Sequence, residues 1–281
     1  MSRRITRGLV SSMAALLAVG TAASFAYATA GGGGTLGVGS ASAAASSAVV
    51  VPRGQPARVA LAVPLSGSLA GFGASFVNAA HMAVELHPNV RGFPVEVDPF
   101  DANCFGTDSA AASAIVADTQ ILGVIGHVCS SGFAAALPIY EAAGVVTISG
   151  SATADFLPAF GPTVFNRTVV SDGADFATWY ARVMALPSDI VWREAYTAEF
   201  GQPPTPFADL YYDATVLLLQ RLHEVGTIDR GSLVVDRAAL ASAVRHTVGF
   251  RGVSCTITLD PTTGNRINDA AALDRCAQQT D

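Results

Sequence analysis

The segment Gly126-His127-Val128-Cys129-Ser130-Ser131-Gly132 places a thiol, an imidazole, two hydroxyls and two glycines within seven residues. Three chemistries compete for it: a nucleophile with His127 as base, a structural disulfide beside a turn, or a corner that holds a small anion. A catalytic serine or cysteine needs a base held within reach by a third group, and neighbours along the chain do not build that arrangement. The spacing is also not the GxSxG elbow. We therefore expect no catalytic residue here and read His127 as a turn histidine. Asp101, Asp155 and Asp213 are scattered after strands or in a helix, which suits solvated or capping roles; no acid–base or cofactor constellation is evident.

The elements around the segment decide what it can hold. RVALAV (58–63), FPVEVDPFD (93–101), ILGVIG (121–126) and VVTIS (145–149) read as strands. Between them, the run 69–86 carries Phe76, Ala80, Ala83 and Val84 near helical spacing, and 108–118 also reads as a helix. SGFAAALPIYEAAG (131–144) reads as a helix capped by Ser131 and closed by Gly144, with Pro138 predicting a kink or a late start. YYDATVLLLQRL (211–222) is apolar enough to be a core helix, VFNRTVV (164–170) reads as a strand and DPTTGN (260–265) as a turn. Strand and helix alternating at short intervals predict an α/β, doubly wound parallel sheet. In open sheets of this kind ligands sit at the carboxyl ends of the strands. Three polar turns fall there: 64–73, 126–132 and 149–155. A helix that starts at Ser130 or Ser131 points free N–H groups and its positive dipole end at the crevice, and Gly132 allows close approach. That chemistry suits a carboxylate or another small anion.

The chain has 281 residues, 51% hydrophobic and 14% charged, enough apolar material for a substantial core. Arg3, Arg4 and Arg7 precede a small, apolar run over 8–25, and Ala26-Tyr27-Ala28 fits an A-x-A cleavage site. We expect residues 1–28 to be an export signal, the protein to be periplasmic or extracellular, either free or membrane-tethered, and 29–57 to be a flexible Gly/Ala/Ser linker. Beyond Ala28 stand 13 arginines against 22 acidic residues, a net charge of −9, which disfavours nucleic-acid binding. The cysteines are Cys104, Cys129, Cys255 and Cys276. An even number in an exported chain favours disulfides, and three pairings are possible. Nearest-neighbour pairing would close two loops of about 20–25 residues, each stabilising by about 3 kcal/mol. No CxxC or paired-histidine spacing supports a metal site.

Several stretches resemble a known family. VALAVPLSGSLAGFGASFVNAAHMAVE, FDANC, VIGHVCSSG and TISGSATADFL, and later 194–222 and 251–260, resemble the branched-chain amino-acid binding proteins, the type I periplasmic-binding components of ABC importers. The resemblance implies a two-lobed clam with an amino acid in its cleft, delivered to an ABC permease. Carried over residue by residue, Ser130 would bond the ligand carboxylate through its hydroxyl and Thr153 through N–H and hydroxyl. The carbonyl of Ser151 would accept from the ammonium. Phe72 and Phe207 would line the side-chain pocket, against the alternative that they are ordinary core residues. Cys104 and Cys129 match a disulfide pair of the family, in agreement with nearest-neighbour pairing.

The departure from the family is as informative. Only 22 residues (171–192) separate VFNRTVV from the return to first-lobe sequence, where the family crosses into a second lobe. We therefore expect lobe 1 over 58–170 and 188–260, a largely deleted second lobe with a remnant at 171–187, and a C-terminal tail over 261–281. Trp179 and Trp192 flank the apparent deletion, either patching surface or sitting at an interface. The resulting expectation is a truncated, weakly binding solute-binding protein for an amino acid or similar small carboxylate. The alternative is a non-transport interaction module, a single lobe that forms a homodimer.

Overall fold

The computed structural model describes residues 48–279. The expected export signal and most of the expected linker lie outside the described residues. The apolar run after Pro56 forms β2 (Ala57–Val63), which is central in a five-stranded sheet. β4 (Phe93–Asp101) and β5 (Ile121–Gly126) flank it in parallel, and β6 (Thr147–Ile148) pairs in parallel with β5. β3 (Asn89–Val90) closes the other edge antiparallel to β4. Parallel strands must be covered on both faces, so alternate residues of β2 divide between two apolar layers. Val59, Leu61 and Val63 pack with α1 (Ala70–Leu86) and α6 (Ala208–Val225). Ala60 and Ala62 pack with α2 (Asp108–Ala117) and α3 (Ser130–Ala143) on the other side. The doubly wound α/β architecture expected from the strand–helix alternation is therefore observed, and every residue of α6 from Ala208 to Leu219 is buried.

Several expectations need correction. The linker expected over 29–57 contains a strand: β1 (Ala48–Val51) pairs antiparallel with β8 (Ser232–Asp236), which also pairs with β7 (Thr227–Asp229). Val49 and Val51 point inward while Val50 is exposed, a period-two pattern that the alanine- and serine-rich context conceals. Pro138 does not interrupt α3, which starts at Ser130 and runs to Ala143. Phe133, Ala136, Leu137 and Tyr140 bury one face of that helix, and their packing outweighs the bond lost at the proline nitrogen. Ser131 is not the cap: Cys129 takes that position in extended conformation, with no side-chain cap. Residues 164–170 are all buried as a core strand would be; they run beside β6, with Thr147 N–H donating to Val164 O at 2.9 Å and a bridge between Ser149 and Arg167.

The expected lobe-2 remnant and C-terminal tail are folded against each other. α4 (Phe176–Val183) and α8 (Ala270–Gln278) share an apolar cluster with Val169, Val170 and Leu210. Asp269 caps α8 by accepting from the Ala272 N–H at 2.9 Å. The Cys255–Cys276 disulfide, with Cα atoms 5.8 Å apart, ties α8 to β10 (Cys255–Ile257) and its partner β9 (Phe250–Gly252). Both tryptophans are core residues: Trp179 lies under the Arg266 guanidinium at 4.7 Å, and Trp192, in α5 (Pro187–Phe200), packs on Tyr196 and Tyr212. α7 (Arg237–Arg245) completes the chain order after β8.

Candidate functional site

The carboxyl ends of β5 and β6 meet at one corner. Cys129, at the start of α3, is bonded to Cys104 with Cα atoms 5.5 Å apart, so neither sulphur is a free thiol. The disulfide fixes where the helix begins. Ser130 is the first residue of α3, and its hydroxyl oxygen accepts from the Ala154 N–H at 3.2 Å. The two turns singled out by sequence, 126–132 and 149–155, are thus in contact.

A backbone accounting of 149–155 shows what the corner leaves open. The Ser149 hydroxyl donates to His127 O at 2.7 Å and accepts from the N–H groups of Ser151 and Ala152 at 3.3 and 3.0 Å. The Ser151 hydroxyl donates to Val128 O at 2.8 Å and lies 3.1 Å from the Tyr211 hydroxyl. Arg167 Nη1 donates to the carbonyls of Ala152 and Ala154 at 2.9 and 3.1 Å. The Thr153 carbonyl accepts from Asp172 N–H at 2.9 Å, and the Asp155 carboxylate accepts from Gly173 N–H. Among the described residues, the Thr153 N–H and hydroxyl and the Ser151 carbonyl have no partner within the protein. The first N–H groups of α3 have no intrahelical partner, as at any helix start. The donors left over are those a carboxylate needs, and the leftover carbonyl suits an ammonium.

Beside this corner is a pocket of about 340 Å³. Phe72, Phe207, Ser130 and Ser151 line it, with Leu69, Phe76 and Val128 adding apolar wall. Four of the five sequence-predicted ligand residues therefore share one cavity. Thr153 is not in its wall but is the neighbour of Ala154, which bonds Ser130. Phe72 meets Phe76 edge-on at 6.3 Å, and Phe76 stacks on Tyr211 at 4.1 Å. Phe207 is both core and wall: it stacks on Tyr180 at 5.0 Å and on Phe176 at 5.7 Å while lining the pocket. Its backbone is left-handed (φ 74), and its N–H donates to the Tyr180 hydroxyl at 2.6 Å.

Sequence reasoning missed two supports. His127 is fully buried, bridging the Asp108 carboxylate (Nδ1, 2.9 Å) and the Tyr140 hydroxyl (Nε2, 2.9 Å), so it is an internal strut and not a turn residue. Asp108 also accepts from the Cys104 N–H at 3.1 Å, which links this strut to the disulfide. Burial, with Asp108 nearby, pushes the Tyr140 hydroxyl up, so it stays protonated. Arg167 is the other: it is fully buried, and burial pulls it down to about 10, which leaves it a cation at neutral pH. Asp101, Asp155 and Asp213 do not converge: Asp101 accepts from Ser66 and Leu65, Asp155 from Gly173 and Asp213 from Val253 and Ser254. Among the described residues no group of three or more His, Cys, Asp or Glu is placed to hold a metal ion. No described helix is long and apolar enough to cross a membrane.

A parallel sheet wrapped by helices, with a polar corner at adjoining strand ends, is the fold of a type I periplasmic binding protein, and comparison with solved structures bears this out. The branched-chain amino acid transporter substrate binding protein of Streptococcus pneumoniae, solved with isoleucine, superposes with a TM-score of 0.60 at 15% identity, covering 75% of this chain and 94% of that one. An ABC transporter substrate-binding protein of Desulfitobacterium hafniense, solved with Leu, gives 0.61 at 18% identity, covering 76% and 96%. By sequence, the leucine-, isoleucine-, valine-, threonine- and alanine-binding protein of Pseudomonas aeruginosa is 34% identical over 118 residues, 41% of this chain. The chain is thus similar to the branched-chain amino-acid binding proteins over that stretch, which spans only 32% of the length of that curated protein. No family model matches the chain.

Proposed function

We propose that this protein is the extracytoplasmic solute-binding component of an ABC-type amino-acid importer, with no catalytic activity of its own. Its ligand is a branched-chain-like amino acid or similar small carboxylate, passed to a permease in the membrane. Ser130 and Thr153 hold the carboxylate, the Ser151 carbonyl accepts from the ammonium, and Phe72 and Phe207 flank the apolar side chain. The observation that supports this reading best is the pattern of leftover groups. In a turn where nearly every polar atom is bonded, the Thr153 N–H and hydroxyl stay open beside Ser130 and an apolar pocket. Relatives that bind leucine, isoleucine and valine support the ligand class.

On this reading most of the second lobe is missing, so one wall of the cleft is absent and the ligand stays in contact with water. Charged hydrogen bonds are weaker there than in a closed site. Three such contacts, each about 1.5–3 kcal/mol, amount to several powers of ten in affinity. The test is an isotope-edited NMR titration of the purified monomer with leucine, isoleucine and valine. The expected result is saturable binding in the millimolar range, weakened further by Ser130→Ala and by Thr153→Ala. Micromolar affinity would refute the weak-binding part. Absence of any saturable shift would refute the solute-binding reading. The single-lobe dimer is a second reading, favoured by the exposed Ile190 (45%) and Val191 (64%) on α5. Size-exclusion chromatography distinguishes it, since a stable dimer with no ligand response would support that reading.

A further inference from the structure

We propose that Arg167 is a positioning residue for ligand anions, and that it delivers its charge to the site through the peptide group between Ala152 and Thr153. Its guanidinium is fully buried, and Nη1 donates to the carbonyls on either side of Thr153, Ala152 O at 2.9 Å and Ala154 O at 3.1 Å. Nε and Nη2 have no partner, and among the described residues no carboxylate is within ion-pair distance. Asp155 and Asp172 act on it only from farther away, and the Phe165 ring lies 5.4 Å from it. A buried cation with no counter-ion is costly unless something else uses its field.

The covalent geometry of the turn supplies that use. The carbonyl Arg167 holds and the N–H that Thr153 leaves open belong to one planar peptide unit. A cation bonded to the oxygen draws electron density from the nitrogen, so the N–H becomes a stronger donor. The second bond, to Ala154 O, immobilises the other side of Thr153, and Asp172 N–H secures the carbonyl between them at 2.9 Å. Thr153 is thereby held rigidly and its N–H is polarised toward an anion.

This inference rests on the amino-acid-binding reading, and its signature is discrimination between charges, not affinity alone. A purely structural arginine would lower binding of charged and neutral ligands alike. A charge-relaying one lowers only the first. The test compares leucine with leucinamide, which lacks the carboxylate charge, by NMR titration of the wild type, Arg167→Lys and Arg167→Met. In the wild type leucine should bind at least about tenfold more tightly than leucinamide, one charged hydrogen bond's worth. Arg167→Met should cut that ratio about threefold or more while leucinamide affinity changes little, and Arg167→Lys should restore most of it. Should Arg167→Met not fold, Arg167→Gln, which keeps a donor for the two carbonyls but carries no charge, takes its place: it should cut the ratio and move the Thr153 amide proton upfield on weakened polarisation. An unchanged ratio in Arg167→Met, or an unmoved Thr153 shift in Arg167→Gln with an unchanged ratio, overturns the proposal and leaves the binding reading standing. A wild type that binds neither compound overturns both.

Discussion

Removal of the Cys104–Cys129 bridge separates stability from site geometry. The bridge closes 25 residues and the Cys255–Cys276 bridge 21. Chain entropy gives them nearly equal stabilisation, about 3.5 and about 3.3 kcal/mol. For a body of this size each kcal/mol moves the melting temperature by roughly 2–4 °C, so either double alanine variant should melt about 7–14 °C lower. Their effects on the site should differ. Cys129 begins α3 and adjoins Ser130, and Cys104 is linked through Asp108 to His127. Cys276 lies on α8, among residues of the α4–α8 cluster. The Cys104→Ala/Cys129→Ala variant should lose leucine binding well below its own melting temperature, whereas Cys255→Ala/Cys276→Ala should keep it. Melting by circular dichroism and NMR titration at one low temperature measure the two quantities separately. Equal affinity in both variants would refute the idea that the first bridge holds the corner. Melting shifts below about 3 °C in both would refute the entropic estimate.

Two further perturbations test the supports. A Cβ at Gly132 would stand 2.3 Å from the Asp108 carboxylate, so Gly132→Ala should break the Asp108–His127 contact and destabilise by about 2 kcal/mol or more in urea unfolding. Gly71→Ala, on the same criterion in open space within α1, should be neutral or stabilising by about 0.5–1 kcal/mol. Burial raises Asp209 to about 7 and Asp213 to about 6, well above the roughly 3.9 of an unfolded aspartate. The folded state therefore holds more protons across that window, and stability should fall as pH rises from about 4 to about 7. Urea midpoints across that range should show the fall, and Asp209→Asn should flatten it; a rise with pH would contradict the assignment.

The parts legible in sequence are those whose signal is local. β5 carries the bounds read from the sequence because it is an apolar run closed by turn residues, and β4 carries them because Phe93, Val95 and Val97 fall at every second position. Ser130, Ser151, Phe72 and Phe207 were reached through resemblance, not periodicity, and their shared pocket comes from elements far apart in the chain. What sequence concealed depends on distant partners. The burial of the arginine in VFNRTVV depends on the carbonyls of Ala152 and Ala154, 15 and 13 positions earlier. His127 looked like a turn residue because Asp108 and Tyr140, its two partners, are 19 and 13 positions away. The segment of α8 reads as a tail because it buries only Ala272 and Leu273, and their partners on α4 lie about 90 positions earlier.

The first strand carries a consequence for biosynthesis. Ala48–Val51 finds its hydrogen-bonding partner in Leu233–Asp236, roughly 180 residues later. During translation that ribbon has nothing to zip onto until almost the whole chain has emerged. Its valines stay unpaired for most of synthesis, and that three-stranded ribbon is completed only by its late segment.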